Sequence, residues 1–507
     1  MKIRDRYAPS PTGPQHIGGV RTALFNYLFA RSKGGNFLLR LEDTDRTRSE
    51  DKYVQNLYDT FDWLGFRWDE GPDLGGPAGP YIQSERTDIY QRYAKELFEK
   101  DCAYYCFCTA ERLEQVRKER EASHSAESGY DRHCRKILRE EAERRVAAGE
   151  AHTVRLKIPL GETSGETGTP PVTVFSDHII GQVEWKNEDI NPDPVLLKSD
   201  GFPTYHLANV VDDHLMEISH ILRAQEWLPS VPLHVIMYRA FGWEHPEFCH
   251  LPMVMGLDGK KLSKRHGSTS IDEFRRQGIL SEALINYIAL VGASYEEGKD
   301  LYTLDELTER FSLDKLSKSP GIFDYKKLEW YNGQYIRMKS DEELARLSLP
   351  FAIEAGLFGS PGKAPNLTQE KLYTAAMPLV KERLVYLTEI PEKICYLFSE
   401  PAIPPAEEFI PKKLDLSTAI EMLKKAQGII SSLAEASSDE EAENRMKSFL
   451  EKEGIKLGDF MMPLRVAVTG SRVSPPLFGS VRLLGTAQSA VRLERAIAGL
   501  ETASAAG

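Results

Sequence analysis

Apolar positions in the first forty residues change from strand spacing to helical spacing and back. Residues 3–8 predict a short strand, and residues 37–41 predict a second, buried one. Between them lies a helical pattern that ends at Gly34, with one face formed by Val20, Ala23, Leu24, Tyr27 and Leu28. Two strands joined by a helix favour a parallel sheet, because a parallel pair needs a long crossover. The N-terminal region is therefore predicted to be α/β.

The middle of the chain continues this pattern with an interruption. A helix capped by Ser84 is predicted over 84–100, and the alternating charges of 111–150 indicate solvated helices. Short strands are predicted at 154–158, 172–175, 179–185, 193–198 and 218–222. Arg223 follows the last of these strands. We expect the parallel sheet to be split by an inserted block.

Strand signals fade toward the C-terminus. Residues 271–332 have helical spacing, and the rest of the chain is helical with linkers at 355–369 and 400–411. Ser438 and Glu441 form a capping-box pattern. The helix that they open has an apolar face formed by Ala442, Met446, Phe449 and Leu450. The sequence therefore predicts an α/β region followed by an all-helical region.

Composition narrows the class of protein. A chain of 507 residues suggests two or more domains. Its net charge of −12 argues mildly against a nucleic-acid binder, although a local basic stripe can bind RNA on an acidic body. No stretch is apolar enough to span a bilayer, and residues 1–6 lack the apolar core of a signal peptide. Six cysteines, three of them clustered, indicate a reducing compartment, so we expect a cytoplasmic protein.

The loop after the first strand carries the first candidate chemistry. It reads APSPTG at 8–13 and HIGG at 16–19. Glycines at a helix N-terminus let an anionic ligand approach backbone N–H groups, and ligands of open parallel sheets bind at the carboxyl ends of strands. Glu42 closes the second strand and faces the same crevice. The structural alternative is a plain loop with a surface histidine and a solvated acidic turn.

Two later stretches carry polar groups suited to the same crevice. Residues 201–213 combine an aromatic, an amide and a carboxylate pair, although packing of Tyr205 and helix capping by Asp212 would also explain them. Residues 256–267 read GLDGKKLSKRHG, a glycine-flanked loop with cationic side chains that could equally be a basic surface loop. Arg223 at a strand end can bind a carboxylate bidentately, but a lone arginine is more often a surface ion pair.

Three cysteines suggest a metal site. Cys106 and Cys108 form a C-x-C pair, and Cys134 follows in a His/Arg-rich turn. Three thiolates with a nearby fourth donor suit a tetrahedral structural zinc. Two buried, packed cysteines would account for the pair equally well.

Together these motifs resemble a known family. HIGG at 16–19 is similar to the first signature of class I aminoacyl-tRNA synthetases, with Gly19 in place of a second histidine. KLSKR at 261–265 is similar to their second signature, and APSPTG at 8–13 narrows the resemblance to glutamyl-tRNA synthetases of the bacterial type. The resemblance runs almost end to end. It implies a Rossmann-like, doubly wound parallel sheet split by an acceptor-binding insertion and followed by helical anticodon-binding domains.

The resemblance also implies roles for particular residues. The catalytic set would be His16, Gly18, Lys261, Lys264 and Arg265. ATP would contact His16, Gly18, Gly19 and Lys264. Glutamate would be bound by Arg6, Ala8, Ser10, Glu42, Tyr205, Asn209 and Arg223, with Glu42 on the α-amino group. Arg383 would contact the anticodon.

Some relatives carry a zinc at the cysteines, and their pattern is Cys-x-Cys followed by Cys-x-His or by Tyr-x-x-x-Cys. The first form fails here because Lys136 occupies the histidine position. The implied ligands are therefore Cys106, Cys108, Tyr130 and Cys134. His133 and His124 are weaker substitutes.

The implied reaction joins L-glutamate to the 3′ end of tRNA(Glu) with ATP and Mg²⁺, through a glutamyl-adenylate. Alternatives are additional charging of tRNA(Gln), glutamylation of a modified tRNA base, or a non-catalytic RNA-binding paralogue. We expect a monomer. The domain boundaries are predicted at 1–81 and 206–256 for the catalytic halves, 82–205 for the insertion, 257–340 for the second-signature loop and stem-contact domain, and 341–400 and 401–507 for the helical domains.

Overall fold

The computed structural model describes residues 2–44, 50–122, 129–160, 172–412 and 414–506. Its residues form two compact units. The first unit comprises Met1–Phe274 and Leu284–Asp324, and the second comprises Arg275–Ala283 and Tyr325–Gly507. Within the described residues, no helix is both long and apolar enough to cross a membrane.

The strands all belong to the first unit. In chain order they are β1 Arg4–Tyr7, β2 Asn36–Leu39, β3 Ala103–Cys106, β4 Thr153–Leu156, β5 Val172–Asp177, β6 Gly181–Lys186, β7 Val195–Leu197, β8 His220–Ala224, β9 Glu247–Leu251, β10 Val254–Met255 and β11 Gly321–Ile322.

Helices occur in both units. They are α1 Ile17–Ser32, α2 Asp51–Leu64, α3 Thr87–Glu99, α4 Ala110–Ala122, α5 Arg139–Ala147, α6 Tyr205–Leu215, α7 Val231–Phe241, α8 Ile271–Arg276, α9 Ser281–Leu290, α10 Leu304–Arg310, α11 Tyr325–Met338, α12 Asp341–Glu354, α13 Leu367–Val380, α14 Ile390–Ile394, α15 Leu416–Gln427, α16 Ile430–Ala434, α17 Asp439–Glu453, α18 Leu457–Thr469 and α19 Leu477–Ala506.

Parallel pairing dominates the part of the first unit that holds the candidate motifs. β1 pairs with β2, and β8 pairs with β9, in both cases in parallel. β1 lies beside β8, because Ser219 N–H donates to Arg4 O at 2.8 Å and Arg4 N–H donates to Ser219 Oγ at 2.9 Å. The carboxyl ends of β1 and β8 therefore lie together. This confirms the predicted α/β class.

Helix α1 is buried along most of its surface, because it fills the space between the strands. Its fully buried residues include Val20, Ala23, Leu24, Phe25 and Leu28. In β2, Phe37, Leu38 and Leu39 are also fully buried. A continuous apolar run is typical of a parallel strand covered on both faces. The strand–helix–strand prediction is confirmed within one or two residues.

The inserted block has its own small antiparallel sheet. β4 pairs with β3 and with β7 in this sheet. β5 pairs with β6 as a hairpin and also pairs in parallel with β9, so the hairpin extends the sheet of β8 and β9. Helices α3 and α6 cover the β3–β4–β7 sheet with buried residues that include Tyr90, Leu97, Leu207 and Val211. These contacts stabilise the base from which the cysteine-bearing turn projects.

Several local predictions differ from the structure. Ser84 lies in a 3₁₀ turn before α3, where it donates to Asp43 Oδ2 at 2.6 Å instead of capping the helix. The region 271–332 is interrupted by β11 and by turns, because glycine and proline break the helical pattern. His124, the other weaker substitute for a zinc ligand, lies outside the described residues.

The second unit is helical throughout its described residues, as predicted. Ser438 accepts a hydrogen bond from Glu441 N–H at 3.1 Å and caps α17. The buried face of α17 includes Ala442, Met446 and Leu450, which join a core built from α15 to α19. α19 is interrupted at Gly485, whose φ of 77° only glycine adopts readily.

Candidate active site

A cavity of about 820 Å³ opens at the carboxyl ends of β1, β8 and β9 in the first unit. It brings together residues that are far apart in the sequence. Of the predicted site residues, those lining the cavity are Arg6, Ala8, Ser10, His16, Gly18, Gly19, Glu42, Tyr205, Asn209, Arg223, Lys261 and Lys264. Arg265 is exposed in the turn 264–266 and is not part of this lining.

His16 caps α1 with its side chain. Its Nδ1 accepts hydrogen bonds from Gly18 N–H at 3.1 Å and from Gly19 N–H at 3.3 Å. An accepting Nδ1 places the ring proton on Nε2. Burial and the positive charge of Lys261 lower the pKa of His16, so the ring is neutral near pH 7. His16 therefore offers one N–H donor, and the two glycine N–H groups expected to meet an anion are already bonded to it.

Gly19, which replaces the second histidine of the first signature, has no room for a side chain. A Cβ at this position would lie 2.7 Å from the Tyr7 hydroxyl oxygen. Tyr7 is buried, and its hydroxyl donates to Gln15 Oε1 at 2.8 Å. The glycine that replaces the second signature histidine is therefore accompanied by Tyr7, which fills the space that a side chain at position 19 would occupy.

The second signature loop is shaped by a histidine. His266 Nδ1 lies 3.1 Å from the backbone N of Ser263, and His266 Nε2 lies 3.0 Å from Asp258 Oδ1. A Cβ on Gly256 would lie 2.7 Å from the His266 ring, so that position requires glycine. The loop presents Lys261 and Lys264 to the cavity, and Lys261 Nζ pairs with Glu226 Oε2 at 2.7 Å.

Hydrogen bonds tie the first signature to the segment that follows the second. Ile17 N–H donates to Thr269 O at 3.0 Å, and Ile271 N–H donates to Gln15 O at 3.1 Å. Asn56 on α2 accepts from Gln15 N–H at 2.9 Å and donates to Asp272 Oδ2 at 2.7 Å. His16 and the segment that follows the cationic loop are therefore held together by one network of hydrogen bonds.

Arg223 is held by three hydrogen bonds. Its Nε donates to His250 Nε2 at 3.1 Å, one Nη donates to Tyr205 Oη at 3.0 Å, and the other donates to Trp227 O at 3.2 Å. His250 is fully buried, and its Nδ1 lies 2.7 Å from Asp177 Oδ2. Asp177 fixes the proton on Nδ1, which leaves Nε2 free to accept from the arginine.

Buried ion pairs surround the other charged groups of the cavity. Arg6 binds both oxygens of Asp213, at 2.9 and 3.0 Å, and Arg40 donates to Asp213 at 2.7 Å and to Glu42 at 3.0 Å. Burial raises the pKa of Asp213, but the two arginines outweigh this effect and hold that pKa below its ordinary value. Burial raises the pKa of Glu42, and Arg40 opposes the shift.

Two details of this pocket depart from the sequence-based interpretation. The carboxylate pair does not line the cavity, because Asp213 binds the two arginines and Asp212 binds Arg86 and Tyr90 at 2.7 and 2.8 Å. Asn209 lines the cavity at 1% exposure, and its Oδ1 has no hydrogen-bond partner within the described residues. An unpaired buried acceptor beside a cavity is suited to a ligand N–H group.

The three cysteines form a compact cluster in the inserted block. Their sulfur atoms lie within 4.8 Å of one another, with Cys108 Sγ 3.5 Å from Cys134 Sγ. The Tyr130 oxygen lies 3.3 Å from Cys106 Sγ and 3.6 Å from Cys108 Sγ. Hydrogen bonding from Cys134 and Tyr130 lowers the pKa of Cys106 against the effect of burial. This cluster could hold a metal ion.

His133, the weaker substitute for a metal ligand, is exposed and does not belong to the cluster. Arg383 lies exposed in a 3₁₀ turn of the second unit. Burial and the positive charge of Arg383 lower the pKa of the half-buried Arg465. Two arginine charges therefore lie near each other on this helical unit.

The residues that the sequence analysis missed are the supports of the site. His250, Asp177, Asn56 and Tyr7 hold the cavity residues without being part of any signature considered above. The apolar neighbours of His250, Cys249 and Leu251, do indicate that it is buried, and a buried histidine needs a polar partner. No local pattern identifies Asp177 as that partner, because it lies in a different strand.

Comparison with known proteins agrees with this geometry. Residues 2–330 match the family described as "tRNA synthetases class I (E and Q), catalytic domain", and residues 343–497 match "Anticodon binding domain". The fold, the cavity and the two signature loops thus define a class I tRNA synthetase. Relatives that match over nearly the full length narrow this further: the chain belongs to the family of glutamate–tRNA ligases.

Among these relatives, the glutamate–tRNA ligase of Treponema denticola is 55% identical, covering 98% of this chain and 99% of that protein. The glutamate–tRNA ligase of Thermus thermophilus is 44% identical, covering 97% of this chain and 99% of that protein. The crystal structure of the glutamate–tRNA synthetase of Elizabethkingia anophelis superposes with a TM-score of 0.82 at 32% identity, covering 98% of this chain and all of that one.

Proposed function

We propose that this chain ligates L-glutamate to the 3′ end of tRNA(Glu) in two ATP-dependent steps. An oxygen of the glutamate α-carboxylate attacks the α-phosphorus of ATP, and pyrophosphate leaves. A hydroxyl of the terminal tRNA ribose then attacks the carbonyl carbon of the glutamyl-adenylate, and AMP leaves. The observation that carries the proposal is the convergence of both signature loops and the glutamate-binding set on one cavity.

Each side chain has a role that follows from its contacts. Arg223, fixed by His250 and Trp227, meets the side-chain carboxylate of glutamate and distinguishes it from the amide of glutamine. Glu42 accepts from the α-ammonium group at the cavity wall. Asn209 Oδ1 supplies a further acceptor.

ATP lies against the N-terminus of α1. His16 donates from Nε2 to a phosphate oxygen, since its Nδ1 is held by the two glycine N–H groups. Lys261 and Lys264 stabilise the charge that develops on the α-phosphate and the leaving pyrophosphate. Magnesium enters with ATP as part of the substrate complex. The protein supplies no nucleophile, so positioning and charge stabilisation account for the catalysis.

Pyrophosphate exchange that depends on glutamate, measured with and without tRNA(Glu), tests this function. Lys264→Ala should lower the maximal exchange rate by about 10²–10³, because one group that stabilises transition-state charge contributes about 2.7–4 kcal/mol. The KM for ATP should change far less. Lys260→Ala, which alters an exposed lysine of the same loop outside the cavity lining, serves as the matched control. If Lys264→Ala exchanged pyrophosphate at nearly the wild-type rate, the catalytic role assigned to Lys264 would be wrong.

The cysteine cluster suits a structural zinc held by Cys106, Cys108, Cys134 and the Tyr130 oxygen. In a tetrahedral site with Zn–S bonds near 2.3 Å, sulfur atoms lie about 3.8 Å apart, and the 3.5 Å between Cys108 and Cys134 is close to this. A bound zinc would stabilise the turn that carries Cys134 and would hold the phenol as phenolate.

Chelation tests the zinc separately from catalysis. Elemental analysis of protein purified without chelator should find zinc bound at the cysteine cluster. The Cys108→Ser variant should lose this zinc. Removing this metal should impair tRNA charging more than glutamate activation, because none of the four ligands lines the cavity. If Cys108→Ser leaves the zinc content of the protein unchanged, the cysteines are packed thiols and do not bind zinc.

A further inference from the structure

A second group of side chains that could bind a metal ion lies away from the cavity. His220 begins β8 and Glu247 begins β9, and the two residues are paired in the register of these parallel strands. His178 follows β5, and its backbone N–H donates to Phe248 O at 2.9 Å. Because Arg223 lies toward the opposite end of β8, this group is at the amino edge of the sheet, across from the active site.

The three side chains converge on one carboxylate oxygen. Glu247 Oε2 lies 2.6 Å from His178 Nε2 and 3.5 Å from His220 Nε2. All three donor atoms are within 4.8 Å of one another. Ligand atoms of a tetrahedral zinc with Zn–N bonds of about 2.0–2.1 Å lie about 3.3 Å apart. Side-chain rotation of the exposed His178 and Glu247 is sufficient to reach this spacing.

His220 is oriented as a metal-ligating histidine would be. Its ring is 8% exposed and packs edge-on against Phe29, with ring centroids 4.9 Å apart. Its Nδ1 lies 3.0 Å from Ser219 Oγ. The Ser219 hydroxyl also lies 3.0 Å from Arg4 O, and its donation to that carbonyl places the ring proton of His220 on Nδ1. An oriented ring with a bonded second nitrogen is the usual arrangement around a metal.

This tautomer leaves two acceptors facing each other. The lone pair of His220 Nε2 faces the Glu247 carboxylate, whose Oε2 lies 3.5 Å away. A divalent cation between the two atoms would satisfy both.

We propose that His178, His220 and Glu247 bind a divalent transition-metal ion of the zinc type, with water completing the coordination. Two imidazoles and a carboxylate suit zinc, cobalt, nickel or copper, whereas calcium and magnesium prefer oxygen ligands alone. The ion fastens the turn after β5 to the amino ends of β8 and β9. It joins the inserted block to the main sheet without entering the reaction, since none of its ligands lines the cavity.

Metal counting on the intact chain tests this site. Protein stripped with chelator is reloaded with Zn²⁺, freed of excess ion and analysed for bound metal. The proposal expects His178→Gln and Glu247→Gln each to lose one ion per chain relative to wild type. His245→Gln and Glu244→Gln, exposed residues of the neighbouring turn, should lose none. His178 and Glu247 are chosen because they are more exposed than His220, so their replacement leaves the core intact.

Cobalt distinguishes this site from the cysteine cluster. Co²⁺ bound by thiolates gives strong near-ultraviolet charge-transfer bands, and Co²⁺ bound by nitrogen and oxygen gives only weak visible bands. In Cys108→Ser the thiolate bands should disappear while one ion remains, and His178→Gln should remove that ion. Zn²⁺ affinity at the site should fall at least a hundredfold in His178→Gln. The proposal is overturned if Cys108→Ser loses all bound metal or if His178→Gln retains as much metal as the wild type. His178 and Glu247 would then form only a surface ion pair.

Discussion

At the scale of single residues, Arg223 depends on two groups that never reach the cavity. Asp177 holds the proton of His250 on Nδ1, and His250 Nε2 accepts from Arg223 Nε. The arginine fork is therefore fixed before a substrate arrives. A preorganised fork loses less conformational entropy when it binds a carboxylate.

Replacing His250 by alanine should therefore weaken glutamate binding. Loss of one hydrogen bond to a charged group costs about 1.5–3 kcal/mol, so the KM for glutamate should rise about ten- to hundredfold in pyrophosphate exchange. The KM for ATP should change little. His250→Gln keeps an acceptor near Arg223 and should recover part of the loss. A glutamate KM for His250→Ala equal to that of His245→Ala would contradict the positioning role.

The sequence indicated Arg223 but could not indicate what holds it. His16 and Lys264 belong to short motifs whose residues are close in the chain, and Arg223 directly follows a predicted strand. His250 and Asp177 meet only after β5 and β9 have paired. Tertiary partners of this kind leave no local pattern, so they had to be read from the structure. The burial of Asp213 by two arginines was missed for the same reason.

At the scale of elements, Asn56 on α2 connects the two signature regions. Its side chain bonds the Gln15 N–H group on one side and the Asp272 carboxylate at the start of α8 on the other. His16 directly follows Gln15 in the chain. We therefore expect the position of α2 to affect the geometry of the proposed ATP site, although Asn56 does not line the cavity.

Asn56→Ala should lower the maximal rate of pyrophosphate exchange by about tenfold, because it leaves a partly buried N–H group unpaired at a cost of about 1–3 kcal/mol. Asn56→Asp keeps the acceptor for Gln15 but adds a negative charge beside Asp272, so it should be impaired as well. Gln55→Ala, at the exposed neighbouring position, is the control. If both Asn56 variants exchange pyrophosphate as fast as Gln55→Ala, the connection has no catalytic importance.

Element positions were the most predictable part of the fold. Strands β1, β2 and β8 and helix α1 were located within one or two residues, because their apolar runs are long or clearly periodic. Ser84 was misplaced as a helix cap because its side chain bonds Asp43 instead. Local cap preference loses to a tertiary hydrogen bond whenever the two compete for the same side chain.

At the scale of the whole molecule, we expect activation and tRNA selection to involve different parts of the chain. Every residue lining the catalytic cavity belongs to the first unit, and Arg383 belongs to the second. The net charge of −12 gives no general attraction for RNA. We expect local cations such as Arg383 to supply this attraction.

Arg383→Gln should therefore raise the KM for tRNA(Glu) about tenfold, the amount expected for one lost charged hydrogen bond. The KM for ATP and for glutamate, measured at saturating tRNA, should stay within about twofold, since Arg383 does not contribute to the cavity. If Arg383 also excludes tRNA(Gln), the variant should charge tRNA(Gln) relatively better. Lys393→Gln is the control. Equal charging of both tRNAs by the wild type would rule out discrimination by Arg383.

The tyrosine hydroxyl beside Gly19 also constrains how this sequence can evolve. A Cβ at position 19 would collide with Tyr7 Oη, which is itself bonded to Gln15. We expect a histidine at position 19 to require that the Tyr7 ring moves or that Tyr7 loses its hydroxyl, for example by a change to phenylalanine. If position 19 changes first, the intermediate carries this steric conflict. The two positions are therefore expected to be epistatic, so that the effect of a change at one depends on the residue at the other.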